Sequence, residues 1–438
     1  MAREPLTDRV DFNSNTVVFR GRVSPRVLSH LQVFINEYPW NTYEQIVLDF
    51  SRCTKAYPNT MVPLVASVQA ILAKGVKADC VLPSDENLRS LFLKSNWAYF
   101  LAPARYHISE GSHDKHLATR QFKNSKEQQD VVNEFIDVTM RTLEIQRSFL
   151  SGLEWSINEL TDNVINHAES VNGGFVQLAS YPLNQTIAFC VADAGRGILN
   201  SLREAYPGLR RDTDAIADAV RGGVTRNKDF GQGNGLSGSL RIAIGSRGRF
   251  AVTSGLGNVI WEATKQPMIA AVDRNKRYRG TFVDVQIPLG KGIDLSAILG
   301  THATSARPID SIDLKYLSAD ATTLQVRMSE ETVGFGSRHS GQQMRTKVKN
   351  LMAGEPTCPV VLDWASVPLI SSSYADEFLG KLFVELGPLG FMQRIRNMNM
   401  TTEIEALINK AIVQRTQQEQ IMGREEDIRP SADKDAAH

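Results

Sequence analysis

Hydrophobic and polar positions alternate with two different periods along the first hundred residues. "NTVVFRGRV" predicts a strand. "PRVLSHLQVFINEY" repeats its apolar residues at helical spacing and predicts an amphipathic helix, and "QIVLDFS" predicts a buried strand. "VPLVASVQAILAKG" predicts a helix ending at Gly75, and "KADCVLP" the next strand. Such alternation implies a parallel or mixed sheet. Residues 107–126 are polar and aperiodic and predict a linker, on which His107, His113 and His116 decorate a solvated loop. No cysteine or helical i,i+4 pair accompanies them to make a metal site.

A long helix is predicted from Glu127 to Leu150, followed by a second helix that carries "INELTDNVINHAES". Strands are expected at "FVQLASY", "TIAFCVAD", "RGRFAVTSG", "NVIWEAT" and "GTFVDVQIPL", with a glycine-rich, charged region from Gly195 to Gly238 between the second and third. "DRNKRYRG" predicts a solvated basic hairpin tip. Beyond residue 310, "PVVLDWAS", "SSSYADEFLGKLFVELG", "MQRIRNMN" and "TEIEALINKAIV" give strand, helix, strand, helix. The phrase "VVLDWAS" echoes "IVLDFS" of the first region and suggests a distant duplication.

The length of 438 residues predicts two or three domains. The pattern divides them into an α/β domain at 1–105, a linker at 106–126, a central domain at 127–290, a linker at 291–309, a second small α/β domain at 310–415 and a disordered tail at 416–438. The fold class is therefore multidomain α/β. The net charge of +1 gives no global case for nucleic acid or an acidic membrane, so neither is expected as a partner. Four scattered cysteines, Cys53, Cys80, Cys190 and Cys358, lie in or beside apolar segments and fit buried thiols in a reducing cytoplasm. "MAREPLTDRVDF" has no apolar core of a signal peptide, and no segment reaches the ~20 apolar residues that cross a bilayer. A cytoplasmic protein is the expectation.

The candidate chemistry lies in the centre. Residues four apart sit nearly above one another on a helix, so Glu159, Asn163 and His167 should form one polar row beside the apolar Leu160, Val164 and Ile165. An apolar strand then delivers Asp193 into a turn with Gly195 and Gly197, and "DFGQGNGLSGSL" brings Gly231, Gly233 and Gly235 into a helix. Glycines at this density let backbone N–H groups approach a phosphate, and a helix start adds its positive dipole end. Asp193 at a strand end can accept from an exocyclic amine. Asn163 offers an amide oxygen suited to Mg²⁺, and Glu159 can orient or deprotonate a nucleophile. Rival motifs fail: Gly233, Gly235 and Gly238 fit G-x-G-x-x-G, but "VTRNKDF" is no apolar strand, and neither Gly290-Lys291 nor Gly380-Lys381 has the upstream glycine of a P-loop.

The ordered set over residues 127–290 resembles the GHKL ATPases, which include gyrase, sensor histidine kinases and anti-sigma-factor serine kinases. "ELTDNVINHA" resembles their N-box, "DAGRG" their first glycine box, "GQGNGLSG", which includes Leu236, their second, and "GTFVDVQIP" their closing strand. The resemblance implies an α/β sandwich of a mixed sheet with helices on one face. It makes Glu159 the catalytic base and Asn163 the Mg²⁺ ligand, Asp193 and Thr281 the adenine contacts, and Ile198 to Gly231 a mobile ATP lid. Lys228 of that lid would lie within reach of a γ-phosphate, and His167 either supports the phosphates or packs. Two departures separate the chain from histidine kinases: Asn166 stands where they carry lysine, and "SKEQQDVVNEFIDVTMRTLEIQ" contains no histidine to phosphorylate.

The flanking regions resemble STAS domains, α/β modules in which a hydroxyl at a helix start is phosphorylated. The matching hydroxyls are Thr60, Ser372 and Ser373. Together the resemblances imply a signalling protein that binds Mg-ATP, hydrolyses it slowly and relays lid state to STAS-like domains. The alternative is a serine/threonine kinase that acts on a STAS partner or on itself. A protein partner through the STAS-like domains is expected, with a homodimer as a further option.

Overall fold

The structure is a computed structural model that describes residues 8–37, 44–109, 116–221, 235–289, 311–331 and 334–427. The chain forms two compact units, one of residues 1–139 with 148–306 and one of 140–147 with 307–438. It is a multidomain α/β protein with three separate sheets among the described residues.

The first unit begins with a four-stranded sheet: β1 (Arg9–Asn13), β2 (Thr16–Arg22), β3 (Gln45–Lys55) and β4 (Lys77–Val81), in that order. The hairpin β1–β2 is antiparallel, and β2–β3 and β3–β4 are parallel because α1 (Pro25–Glu37) and α2 (Pro58–Leu72) supply the crossovers. The aromatic centre is Phe19 stacked on Phe50 at 4.2 Å, with Phe92 edge-on to both Phe50 and Trp97.

The second sheet has seven strands: β5 (His116–Phe122), β6 (Gly174–Tyr181), β7 (Thr186–Asp193), β8 (Arg249–Gly255), β9 (Gly257–Glu262), β10 (Met268–Ala271) and β11 (Tyr278–Pro288). Their order is β10-β9-β8-β11-β7-β6-β5, and every pairing is antiparallel rather than mixed. Three short hairpin connections (β6–β7, β8–β9 and β9–β10) account for much of that direction. Residues 116–122 of the linker expected at 106–126 form β5, which pairs with β6. His116 stands in that strand and His113 lies outside the described residues. No group of three metal-ligating side chains occurs among the described residues.

Both faces of this sheet are covered, where helices on one face were expected. Alternation sends Cys190, Ala192 and Phe282 to one face, where they join Met61, Leu64, Val65 and Val68 of α2 in one core. Phe189 points to the opposite face and meets Phe135 of α5 (Ser125–Thr142) edge-on at 5.3 Å. The helix predicted from Glu127 to Leu150 is two helices, α5 and α6 (Arg147–Asn163), separated at 143–146. Gln128 of α5 ties them, donating to Thr161 and Asp162 of α6 at 3.0 and 2.9 Å.

The second unit holds a parallel three-stranded sheet: β12 (Leu324–Arg327), β13 (Val360–Asp363) and β14 (Ile395–Met398). The echoed phrases fold alike at one point. Asp49 accepts from the N–H of Ser51 at 2.8 Å, Asp363 from that of Ala365 at 3.0 Å, and Phe50 and Trp364 are both buried. The tail expected from 416 begins inside a helix, Thr402–Asp427, because "TQQEQ" is rich in good helix formers. All four cysteines are buried free thiols. No helix among the described residues is long and apolar enough to cross a membrane.

Candidate functional site

The site is built on the face of the seven-stranded sheet that carries α5, α6 and α9 (Gly235–Gly245). Glu159 lies in the last turns of α6, half-buried, and Asn163 is the final α-helical residue. From Val164 to Ala168 the helix widens to a π turn. That extra width ends the four-residue register, so His167 leaves the row that Glu159 and Asn163 share. The side chain of Asn163 makes no hydrogen bond among the described residues. The His167 carbonyl accepts from Nε of Arg196 at 3.2 Å.

Asp193 closes β7 and is 4% exposed. Its neighbour in the strand, Ala192, faces α2, so its carboxylate faces the α6 side. It accepts from the N–H of Gly195 at 2.7 Å and from the N–H of Thr281. Burial pushes its pKa up to about 7 against the effect of those two donors. No cationic side chain among the described residues pairs with it. Thr281 follows on β11, where Val283 and Phe282 pair with Val191 and Ala192 of β7, and its hydroxyl lies 3.0 Å from that of Ser254.

The glycines of "DAGRG" bring the strand end against the helix end. A Cβ on Gly195 would stand 2.0 Å from the Ala168 carbonyl, and Arg196 donates its N–H to that same oxygen at 2.9 Å. Only glycine fits there. Gly197 opens α7 (Gly197–Leu202) beside Ser254, whose Oγ accepts the N–H of Ile198 at 2.9 Å.

The second glycine box does something the sequence did not show. A Cβ on Gly235 would fall 2.3 Å from Oε2 of Glu159, and one on Gly238 would fall 2.1 Å from the Trp155 ring. Ser156 and Ser239 hydrogen-bond at 2.8 Å between them. Gly235 and Gly238 therefore let α9 lie directly on α6, and the first turn of α9 meets the Glu159 carboxylate. Burial, and then Asp162, raise the pKa of that carboxylate. Leu236 packs toward the apolar cluster of α7 and α8 (Asp212–Ala219) rather than offering a polar contact.

That cluster revises the expected lid. Leu199, Leu202, Ala215 and Ala219 give residues 197–219 two helices and a small core, where a mobile segment was expected throughout 198–231. Gly231, Gly233 and Lys228 lie outside the described residues. The phosphorylation candidates also separate. Thr60 is fully buried, its hydroxyl 3.0 Å from both the Val23 and Tyr57 carbonyls, so it is closed to a modifying enzyme. Ser371 is the helix cap, accepting from Tyr374 N–H, while Ser372 is exposed and Ser373 half-buried.

The structure thus joins Asp193, Gly195, Gly197 and Thr281 in one cluster and Glu159 and Gly235 in another, linked by the short path from Asn163 to Ala168. Ser254, Trp155 and Arg196 belong to the site and carried no spacing signal. No protein-family model matches the chain, and no curated protein matches it.

Proposed function

We propose that this face is a GHKL-type Mg-ATP site and that the protein is an ATP-hydrolysing signalling protein, with STAS-like modules formed by the first and third sheets. The observation that carries the reading is Asp193. A carboxylate withdrawn from water without a cationic partner is costly unless a ligand needs it. Its two backbone donors leave acceptor capacity for an exocyclic amine of adenine.

The other residues fit the group. Mg-ATP, when bound, supplies the phosphoanhydride whose terminal phosphoryl group is transferred. Asn163 presents a side chain with no hydrogen bond among the described residues, one turn from Glu159, and its amide oxygen suits a hard cation. Glu159 is half-buried with its pKa raised, which makes it a stronger base for the proton of an attacking hydroxyl or water. The start of α9, bare of side chain at Gly235, lies against the Glu159 carboxylate, and a helix start favours negative charge.

The test is calorimetry with Mg-ATP, followed by turnover of γ-labelled ATP. Wild type should bind. Glu159→Ala should still bind and lose turnover by about 10²–10⁴-fold, because a base acts mainly in the transition state. Asn163→Ala should weaken both, because a metal ligand acts in ground and transition states alike. Released phosphate supports hydrolysis, and label on the protein supports the kinase alternative. Absence of Mg-ATP binding by the wild type would overturn the reading.

A further inference from the structure

A cavity of about 480 Å³ opens in the first unit, at the ends of the central strands β7, β8 and β11 of the seven-stranded sheet and beside α1. Glu159 and Asn163 do not line it, and it shares only the Gly195–Arg196 turn with the candidate site. Its walls include four arginines, Arg196, Arg274, Arg277 and Arg279, together with Asn36 and Asn200. We propose that this cavity binds a small anion bearing two or more adjacent phosphates, such as inorganic pyrophosphate or the polyphosphate portion of a nucleotide.

The charge balance is the first argument. Arg196 is matched by Glu169 and Glu204 at 3.0 and 2.5 Å, whereas Arg274, Arg277 and Arg279 pair with no carboxylate among the described residues. The nearby Asp273 is engaged by Lys276 at 2.9 Å. Three uncompensated guanidinium groups around one cavity match a trianion or tetraanion better than a single carboxylate, and their planar forks suit phosphate oxygens.

The second argument is preorganisation. Asn36 of α1 donates to the carbonyls of Asn275 and Arg277 at 3.1 and 2.9 Å and accepts from Nε of Arg279 at 3.2 Å. One side chain therefore fixes the turn that bears the arginines, and it holds Arg279 by Nε so that both Nη groups stay available. Arg196 is 17% exposed, and its Nη2 is buried without a hydrogen-bond partner, a donor still unsatisfied at the wall. The size admits a ligand of nucleotide scale. The ring of Tyr278 offers no stacking platform, because it is buried with its hydroxyl on the Asp193 carbonyl. Recognition therefore rests on the phosphates.

The experiment is calorimetry of inorganic pyrophosphate against the full chain with EDTA present, so that no Mg-dependent site contributes. Orthophosphate and a single-stranded oligonucleotide are titrated in parallel. Pyrophosphate should bind more tightly than orthophosphate. The exposed pair Arg274→Ala/Arg277→Ala should weaken it by about tenfold or more. Asn163→Ala should bind it as the wild type does. ADP and pyrophosphate are then compared in the Asp193→Asn protein. Tighter binding of ADP there would assign a nucleotide, and equal binding a bare polyphosphate. No binding of pyrophosphate, equal binding by the double variant, or loss in Asn163→Ala would each overturn the proposal. So would an oligonucleotide that outcompetes pyrophosphate. Asn36→Ala should reduce affinity without altering either arginine, which tests the positioning role.

Discussion

Replacing Asp193 with asparagine separates the cost of a buried carboxylate from its use. Burial lifts the Asp193 pKa from 3.8 to about 7. The folded chain therefore holds a proton that the unfolded chain releases between those two values. By linkage, stability is greatest below the lower value and falls as pH rises through the window. Each unit within it is worth about 1.4 kcal/mol, so moving from pH 5 to pH 8 should remove roughly 2–3 kcal/mol. Asparagine has the shape of the protonated acid and nothing to ionise. Asp193→Asn should therefore lack this component. Urea unfolding of both proteins at pH 5 and pH 8 measures it, and the difference of differences cancels groups that titrate equally in the two. The variant should gain about 2–3 kcal/mol on the wild type between pH 5 and pH 8 while losing Mg-ATP binding at both. Parallel pH profiles would refute the burial argument, whatever the nucleotide result.

Three further outcomes follow from particular contacts. Mg-ATP affinity of the wild type should fall as pH drops below about 7, since the protonated acid has less acceptor capacity; calorimetry at pH 6 and pH 8 reads this directly. Gly238→Ala places a methyl against the Trp155 ring and should cost about 1–3 kcal/mol, recovered in part by Trp155→Leu; denaturation of the single and double variants decides it. In the second unit, burial would raise the Glu331 pKa, but Lys347 and Lys315 hold it below the usual carboxylate value. Its stabilising effect should be present above the unfolded pKa and lost as pH falls below it. Lys347→Met should cost about 3–5 kcal/mol, and Lys347→Met/Glu331→Leu should restore most of it; a double variant as unstable as the single would count against a charge effect.

The sequence was most informative where one period governed one element. The strands at 174–181, 186–193, 249–255 and 278–288 read as largely apolar runs because both faces of the sheet are buried. It was least informative where tertiary contact overrode local pattern. "HLATRQF" is polar at four of seven positions and is a strand because β6 offers an edge to pair with. The row of Glu159, Asn163 and His167 was legible as two residues, not three, since nothing in "VINHA" announces a π turn. Glycine density was legible as a need for close approach, but not its object. At Gly195 that object is a carbonyl, and at Gly235 and Gly238 it is a second helix. The arginine cavity was visible only as "DRNKRYRG", a basic turn, because Asn36 and Arg196 reach it from far along the chain.

Strands β7 and β11 carry two tasks on alternate residues. Asp193, Thr281 and Phe189 face the candidate site and its helices, while Cys190, Ala192, Tyr278 and Phe282 join the core that contains α2. Tyr278 makes the connection atomic. Its buried hydroxyl lies 3.0 Å from the Asp193 carbonyl and 3.3 Å from that of Pro63 in α2. Pro63 stands inside α2 and contributes no N–H of its own, and Ser67 closes the turn by donating to its carbonyl at 2.9 Å. Helix α2 is thus fastened to the backbone of Asp193. Asn59 adds a second fastening through Asp284 of β11, which Arg249 of β8 also holds. A shift of the β7 end by a few tenths of an ångström has to be absorbed by this packed layer, because close-packed interiors transmit displacement rather than damp it. The Tyr278 hydroxyl is therefore the contact through which a displacement of the Asp193 backbone meets α2.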